Sequence, residues 1–139
     1  MDQVVAAADC VSLHLHLTDE TRHIFDERRI RMMKPGAFLI NVARGGLVDN
    51  EALCRCLREG RPAGAGLDVF SPEPIDPGHP LLQQPNVVVT NHISGNTYGT
   101  WRRRVAFAAE NVNRIAEGIE PLALLRQRSD VMFRPSSTH

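Results

Sequence analysis

Short apolar runs alternate along this chain with stretches whose apolar residues recur every three or four positions. The runs fall at residues 10–17, 37–43, 63–69 and 87–90, each the length of a strand. Their Val, Ile, Leu and Ala content predicts a parallel sheet buried on both faces. Between the runs, Asp26 opens a helical pattern that reaches Met33 and stops at Lys34-Pro35-Gly36. Asp49 or Asn50 opens the next, with Ala52, Leu53, Cys56 and Leu57 in one stripe and Gly60 where a left-handed residue closes a helix. A long helix is predicted over residues 97–117. Its Trp101, Val105, Ala108, Val112, Ile115 and Ile119 form a stripe expected to be buried. Residues 44–46 and the proline-rich segment after residue 71 read as loops. The pattern as a whole predicts an α/β fold: a parallel sheet of about four strands, flanking helices and a long C-terminal helix. Residues 122–139 are polar and aperiodic, and are expected to form a disordered tail.

Composition narrows the partners. The 139 residues carry sixteen basic and sixteen acidic side chains, a balance that gives no footprint for nucleic acid or an anionic membrane. Arg102-Arg103-Arg104 is the densest basic run and reads as a solvated helix face. No apolar run is long enough to cross a membrane, and the first residues lack the pattern of a secretory signal. Three cysteines argue against a disulfide framework and for small buried thiols in a reducing, cytoplasmic setting.

Candidate chemistry collects at one edge of the expected sheet. Ligands of open α/β sheets bind beyond the carboxyl ends of the strands. His14 and His16 stand at the end of the first run, Arg44 after the second, Asp68 and Glu73 after the third and His92 after the fourth. The opposite edge carries turn residues such as Pro35, Gly36 and Pro62. Arginine, carboxylate and histidine together suit hydride chemistry on a hydroxy acid, while the spacing by itself equally fits a surface Arg44, a loop charge at Glu73 and a turn residue at His92. The imidazole moves the hydroxyl proton, a neighbouring carboxylate supports the imidazolium, and a guanidinium grips a substrate carboxylate through two bonds. Two histidines on one strand also raise a metal-dependent hydrolase as a weaker alternative, with no third ligand at motif spacing and no metal residue assigned.

Several blocks carry a family resemblance. Ile40-Asn41-Val42-Ala43-Arg44-Gly45-Gly46-Leu47-Val48-Asp49, preceded by Met33-Lys34-Pro35-Gly36, resembles the central signature of the D-isomer-specific 2-hydroxyacid dehydrogenases. So do Gly64-Ala65-Gly66-Leu67-Asp68-Val69-Phe70 with Glu73-Pro74, and Asn86-Val87-Val88-Val89-Thr90 through His92. The blocks keep the family's order and spacing over residues 5–121. The resemblance implies a partial Rossmann-like sheet, with residues 1–121 as the C-terminal part of an NAD-binding domain. It assigns Arg44 to the substrate carboxylate and carbonyl, His92 to general acid/base work, and Glu73 to orienting His92 and raising its pKa. It places Leu15, Val42, Ala43, Asp68, Ser94 and Gly95 at the nicotinamide end of NAD or NADP. A small 2-keto or 2-hydroxy acid is the implied substrate and a homodimer the implied assembly.

The sequence departs from the family at His16 and Asn91, where proline is usual, and at Ser71, where an acidic residue is common. It contains no G-x-G-x-x-G after any strand candidate and no acidic ribose-reading residue behind one. This chain is therefore expected to be an incomplete fragment with little activity of its own, whose long helix lacks the partner its stripe would pack against and favours oligomerisation or poor solubility. The alternative is a noncatalytic remnant that serves as a binding or oligomerisation module.

Overall fold

The computed structural model describes residues 1–124. They divide into two compact units, one ending at Ser94 and one beginning at Gly95. The first unit runs α1 (Asp2–Ala7), β1 (Cys10–Leu13), α2 (Glu27–Met32), β2 (Phe38–Asn41), α3 (Asn50–Arg58), β3 (Gly64–Leu67) and β4 (Val87–Val89). Short 3-10 turns occupy Gly45–Leu47 and Pro80–Gln83. The four strands form one parallel sheet in the order β1-β2-β3-β4.

Helices α2 and α3 start where the sequence offers a side-chain acceptor. Asp26 takes the Arg29 N–H at 2.9 Å and Asp49 takes the Ala52 N–H at 3.0 Å. Gly60 follows α3 at φ 77°, a left-handed conformation that glycine adopts without a Cβ penalty. Ile30, Leu53, Cys56 and Leu57 from α2 and α3 meet Leu13, Leu39, Ala65 and Leu67 from the strands in one buried core.

Only one face of the sheet is covered within this unit, contrary to the expectation of burial on both. Burial alternates along β2, with Leu39 and Asn41 buried, Ile40 half-buried and Phe38 50% exposed. On β4, Val88 is 71% exposed. The core-forming α2 and α3 pack against each other and against one side of the sheet. The apolar content of the strands did not distinguish a two-sided from a one-sided burial. Cys54 and Cys56 are buried as expected, whereas Cys10 is exposed on the uncovered face.

In the second unit α4 (Tyr98–Ala116) starts at Thr97, whose hydroxyl accepts the Thr100 N–H at 3.1 Å. The stripe is not buried but left uncovered, as expected of a fragment: α4 buries none of its residues, and Trp101, Val105, Val112 and Ile115 are all exposed. Among the described residues of this unit the helix has no second apolar layer to receive the stripe. Of the tail expected at residues 122–139, everything from residue 125 onward lies outside the described residues.

Candidate active site

The parallel register sets the four strand ends in a row, pairing Leu13 with Asn41, Asn41 with Leu67, and Leu67 with Val89. Everything that follows these residues in sequence therefore leaves the sheet at the same edge. The strands are shorter than the apolar runs, so His14, Leu15 and His16 lie beyond β1 and are exposed. His14 Nε2 contacts the Ser12 hydroxyl at 2.8 Å. Among the described residues no group of three or more His, Cys, Asp or Glu side chains is placed to hold a metal ion.

Beyond β2, the buried Asn41 closes the loop that carries Val42, Ala43 and Arg44. Its Oδ1 accepts the Ala43 N–H at 3.2 Å, and its Nδ2 donates to the Arg44 carbonyl at 2.9 Å. Val42 and Ala43 are half-buried and Arg44 is exposed. Gly45 then passes against the backbone of the next loop. A Cβ built on Gly45 would lie 1.9 Å from the Phe70 carbonyl carbon and oxygen. No side chain fits there, so the Arg44 loop and the loop after β3 meet at a contact only glycine allows.

That second loop holds Glu73 by both oxygens. Oε1 accepts the Phe70 N–H at 2.9 Å, and Oε2 sits 2.9 Å from Nδ1 of His92. The bond from His92, together with the Phe70 N–H, outweighs the cost of burial and keeps the Glu73 carboxyl below its ordinary pKa; Arg44 adds a smaller push in the same direction. Both members stay accessible, with His92 51% and Glu73 38% exposed at the side chain. An imidazole bonded through Nδ1 to a carboxylate leaves Nε2 to exchange a proton with a ligand.

His92 sits at φ 57°, a left-handed conformation rare for a residue with a Cβ. Asp68 supplies what holds it there. This residue is 3% exposed. Its carboxylate accepts the Thr90 hydroxyl and the N–H groups of Ile93 at 2.9 Å and Ser94 at 3.0 Å. Its backbone carbonyl accepts the His92 N–H at 2.7 Å. Burial alone would raise the Asp68 pKa, but the bonds from Thr90, Ser94 and Ile93 override it and hold the carboxyl well below the usual range. Asp68 and Ser94, expected beside a cofactor, are thus joined to each other around the His92 turn.

A cavity of about 610 Å³ opens beside the pair, lined by Asp68, Phe70, Glu73, Ile75, Val89 and His92 among others. The structure therefore brings Asp68, Glu73, His92 and Ser94 into one bonded cluster and sets Arg44 on the adjoining loop. Leu15 lies at the same sheet edge, 43% exposed, while Gly95 falls in the second unit. Asn41 and Gly45 were not singled out from sequence. The signals were an Asn closing an apolar strand and a Gly following the arginine, both common enough to pass as turn residues.

Comparison with known proteins shows what the chain as a whole is similar to. A family described as "D-isomer specific 2-hydroxyacid dehydrogenase, NAD binding domain" matches residues 1–94. A glyoxylate reductase from Thermofilum pendens is 45% identical over 127 residues, covering 91% of this chain and 38% of that protein. The solved structure of a D-isomer specific 2-hydroxyacid dehydrogenase from Lactobacillus delbrueckii ssp. bulgaricus, in its NAD complexed form, superposes with TM-score 0.78. Its identity is 36%, over 89% of this chain and 42% of that one. A D-isomer specific 2-hydroxyacid dehydrogenase from Xanthobacter autotrophicus Py2, in complex with NADPH and MES, gives TM-score 0.70 and 39% identity over 87% of this chain and 49% of that one. The chain thus spans less than half the length of each of these relatives.

Proposed function

This chain belongs to the D-isomer specific 2-hydroxyacid dehydrogenases, as part of their NAD-binding domain, and from that membership we propose that it carries the proton-transfer and carboxylate-gripping half of a 2-keto acid reductase site. The observation that carries the reading is the 2.9 Å contact between Glu73 Oε2 and His92 Nδ1, with Arg44 on the loop that Gly45 pins against Phe70.

In this reading Arg44 holds the substrate carboxylate and carbonyl oxygen, which fixes the reacting carbon. Protonated His92 gives its Nε2 proton to the carbonyl oxygen as that oxygen becomes a hydroxyl. Glu73 keeps the ring turned so that Nε2 faces the substrate, and supports the imidazolium before the proton leaves. In the reverse direction neutral His92 takes the hydroxyl proton. The half-buried Val42 and Ala43 and the exposed Leu15, all at the carboxyl edge of the sheet, fit the flat nicotinamide end of NAD or NADP. When bound, that cofactor supplies the hydride that reaches the carbon. The 139 residues hold no glycine-rich loop for the pyrophosphate. The chain by itself is therefore proposed to bind the cofactor weakly and to turn over slowly.

NADH oxidation with glyoxylate and hydroxypyruvate tests the reading. Whatever rate the chain shows is expected to fall about a hundredfold or more in His92→Gln and to be lost in Arg44→Ala. A rate indifferent to both substitutions would defeat it. The exposed stripe of α4, Trp101 to Ile115, favours a second reading as a binding or oligomerisation module. Self-association without any cofactor or keto acid binding would support that one instead.

A further inference from the structure

Asn41 closes β2 and is only 1% exposed. Burying an amide costs free energy unless both its ends are bonded. Here both are, and both partners lie in the segment that presents Arg44. Oδ1 holds the Ala43 N–H and Nδ2 holds the Arg44 carbonyl. The guanidinium itself returns to donate from Nη1 to the Ala43 carbonyl at 2.7 Å. Three successive peptides are thus held: the one between Val42 and Ala43 at its N–H by Asn41, the one between Ala43 and Arg44 at its carbonyl by the Arg44 guanidinium, and the one following Arg44 at its carbonyl by Asn41. An apolar side chain of similar volume would fill the same space without an amide to satisfy, so packing alone does not call for asparagine.

We infer that Asn41 is a positioning residue, whose buried amide sets the direction in which Arg44 presents its guanidinium to the carboxylate of a 2-keto acid. The inference rests on the reading of Arg44 as the carboxylate-gripping residue. A two-bond grip depends on the plane and direction of the guanidinium, and a displacement of about an ångström costs on the order of a hundredfold in rate. Asn41 touches neither substrate nor cofactor; it acts through the Arg44 backbone.

The test uses isotope-labelled full chain and follows the Arg44 Nε–Hε resonance and its contacts to Ala43 by NMR. In the wild type that resonance is expected to be ordered and unchanged between about pH 7 and about pH 5, since an amide does not titrate in that range. Asn41→Asp keeps the shape and the acceptor for Ala43 but turns a carboxylate oxygen toward the Arg44 carbonyl. Protonation of the buried acid restores a donor, and burial favours that protonated form. The ordered Arg44 signal is therefore expected to be lost in Asn41→Asp at the higher pH and regained at the lower one. Should that variant not fold, Asn41→Ser, neutral and too short to reach the Arg44 carbonyl, replaces it and is expected to lose the signal at both values.

Folded variants that melt earlier yet keep an ordered, pH-independent Arg44 would overturn the inference, for then Asn41 merely stabilises the fold. A disordered Arg44 in the wild type would overturn it too. Turnover of glyoxylate with NADH by wild type and Arg44→Ala runs in parallel. An Arg44→Ala chain as active as wild type counts against the role of Arg44. An ordered Arg44 in the Asn41 variants counts against the role of Asn41.

Discussion

Asp68 carries more of the site than any other single residue, and its chemistry makes a prediction about acid. A carboxyl whose pKa is lower in the folded chain binds fewer protons there than in the unfolded chain. Its stabilising contribution is complete above the unfolded value, near about pH 4, and is lost as pH falls through the folded value. Asp68 has this sign strongly and Glu73 shares it. Asp2, Glu27 and Glu59 share it as well, but their arginine partners lie at the surface and are screened by water. The melting temperature is expected to hold from neutral pH to about 5 and to fall below about 4. Asp68→Asn is expected to flatten part of that fall and to cost about 2–4 kcal/mol at neutral pH in denaturant unfolding, because the N–H groups it held lose their charged acceptor. Gly45→Ala is expected to cost at least about 2 kcal/mol, since backbone rather than a flexible side chain stands in the way. Arg44, Glu73 and His92 were legible in the sequence because charged residues behind strand ends are conspicuous and the surrounding blocks resemble a family. Asn41 and Gly45 were not, because their importance lies in what they touch across the chain: a carbonyl three residues on and a backbone twenty-five residues away.

At the scale of elements, local chemistry was the readable part. Asp26, Asp49 and Thr97 each stand where their side chain accepts a free N–H of the first helical turn, three residues on. Removing one acceptor is expected to show. Asp49→Ala should lower stability by about 1 kcal/mol, seen as a shift of the unfolding midpoint with unchanged slope. Strand lengths were less readable. An apolar run continues past Leu13 and past Asn41, but a ladder ends where its neighbours end, and the shared row of strand ends is a property of the pairing rather than of any one run. Helix α1 escaped notice because it is six residues long and its N-cap, Met1, makes no side-chain bond. The periodicity of the α4 stripe is legible in the sequence, and its exposure follows the expectation that a fragment leaves this helix without its partner. Period tells which residues share a face, and burial depends on whether another layer faces them.

At the scale of the molecule, the one-sided core and the exposed stripe make two expectations. The chain should bind NADH far more weakly than a protein that also contains the pyrophosphate loop, which calorimetric titration would read directly. Exposed apolar residues on α4 should drive concentration-dependent association, and replacing Val105 and Val112 with glutamate should reduce it in sedimentation experiments. The alternation of strand and helix made the fold class legible, whereas the coverage of the sheet required knowing which side each helix takes. The glycine contact between the Arg44 loop and Phe70 has a bearing on how such proteins diversify. Two loops that touch backbone to backbone, with no side chain between them to resize, cannot drift apart in shape one at a time. A chimera that imports either loop from a relative should work only when it imports both, so two stretches far apart in the sequence are expected to behave as a single module.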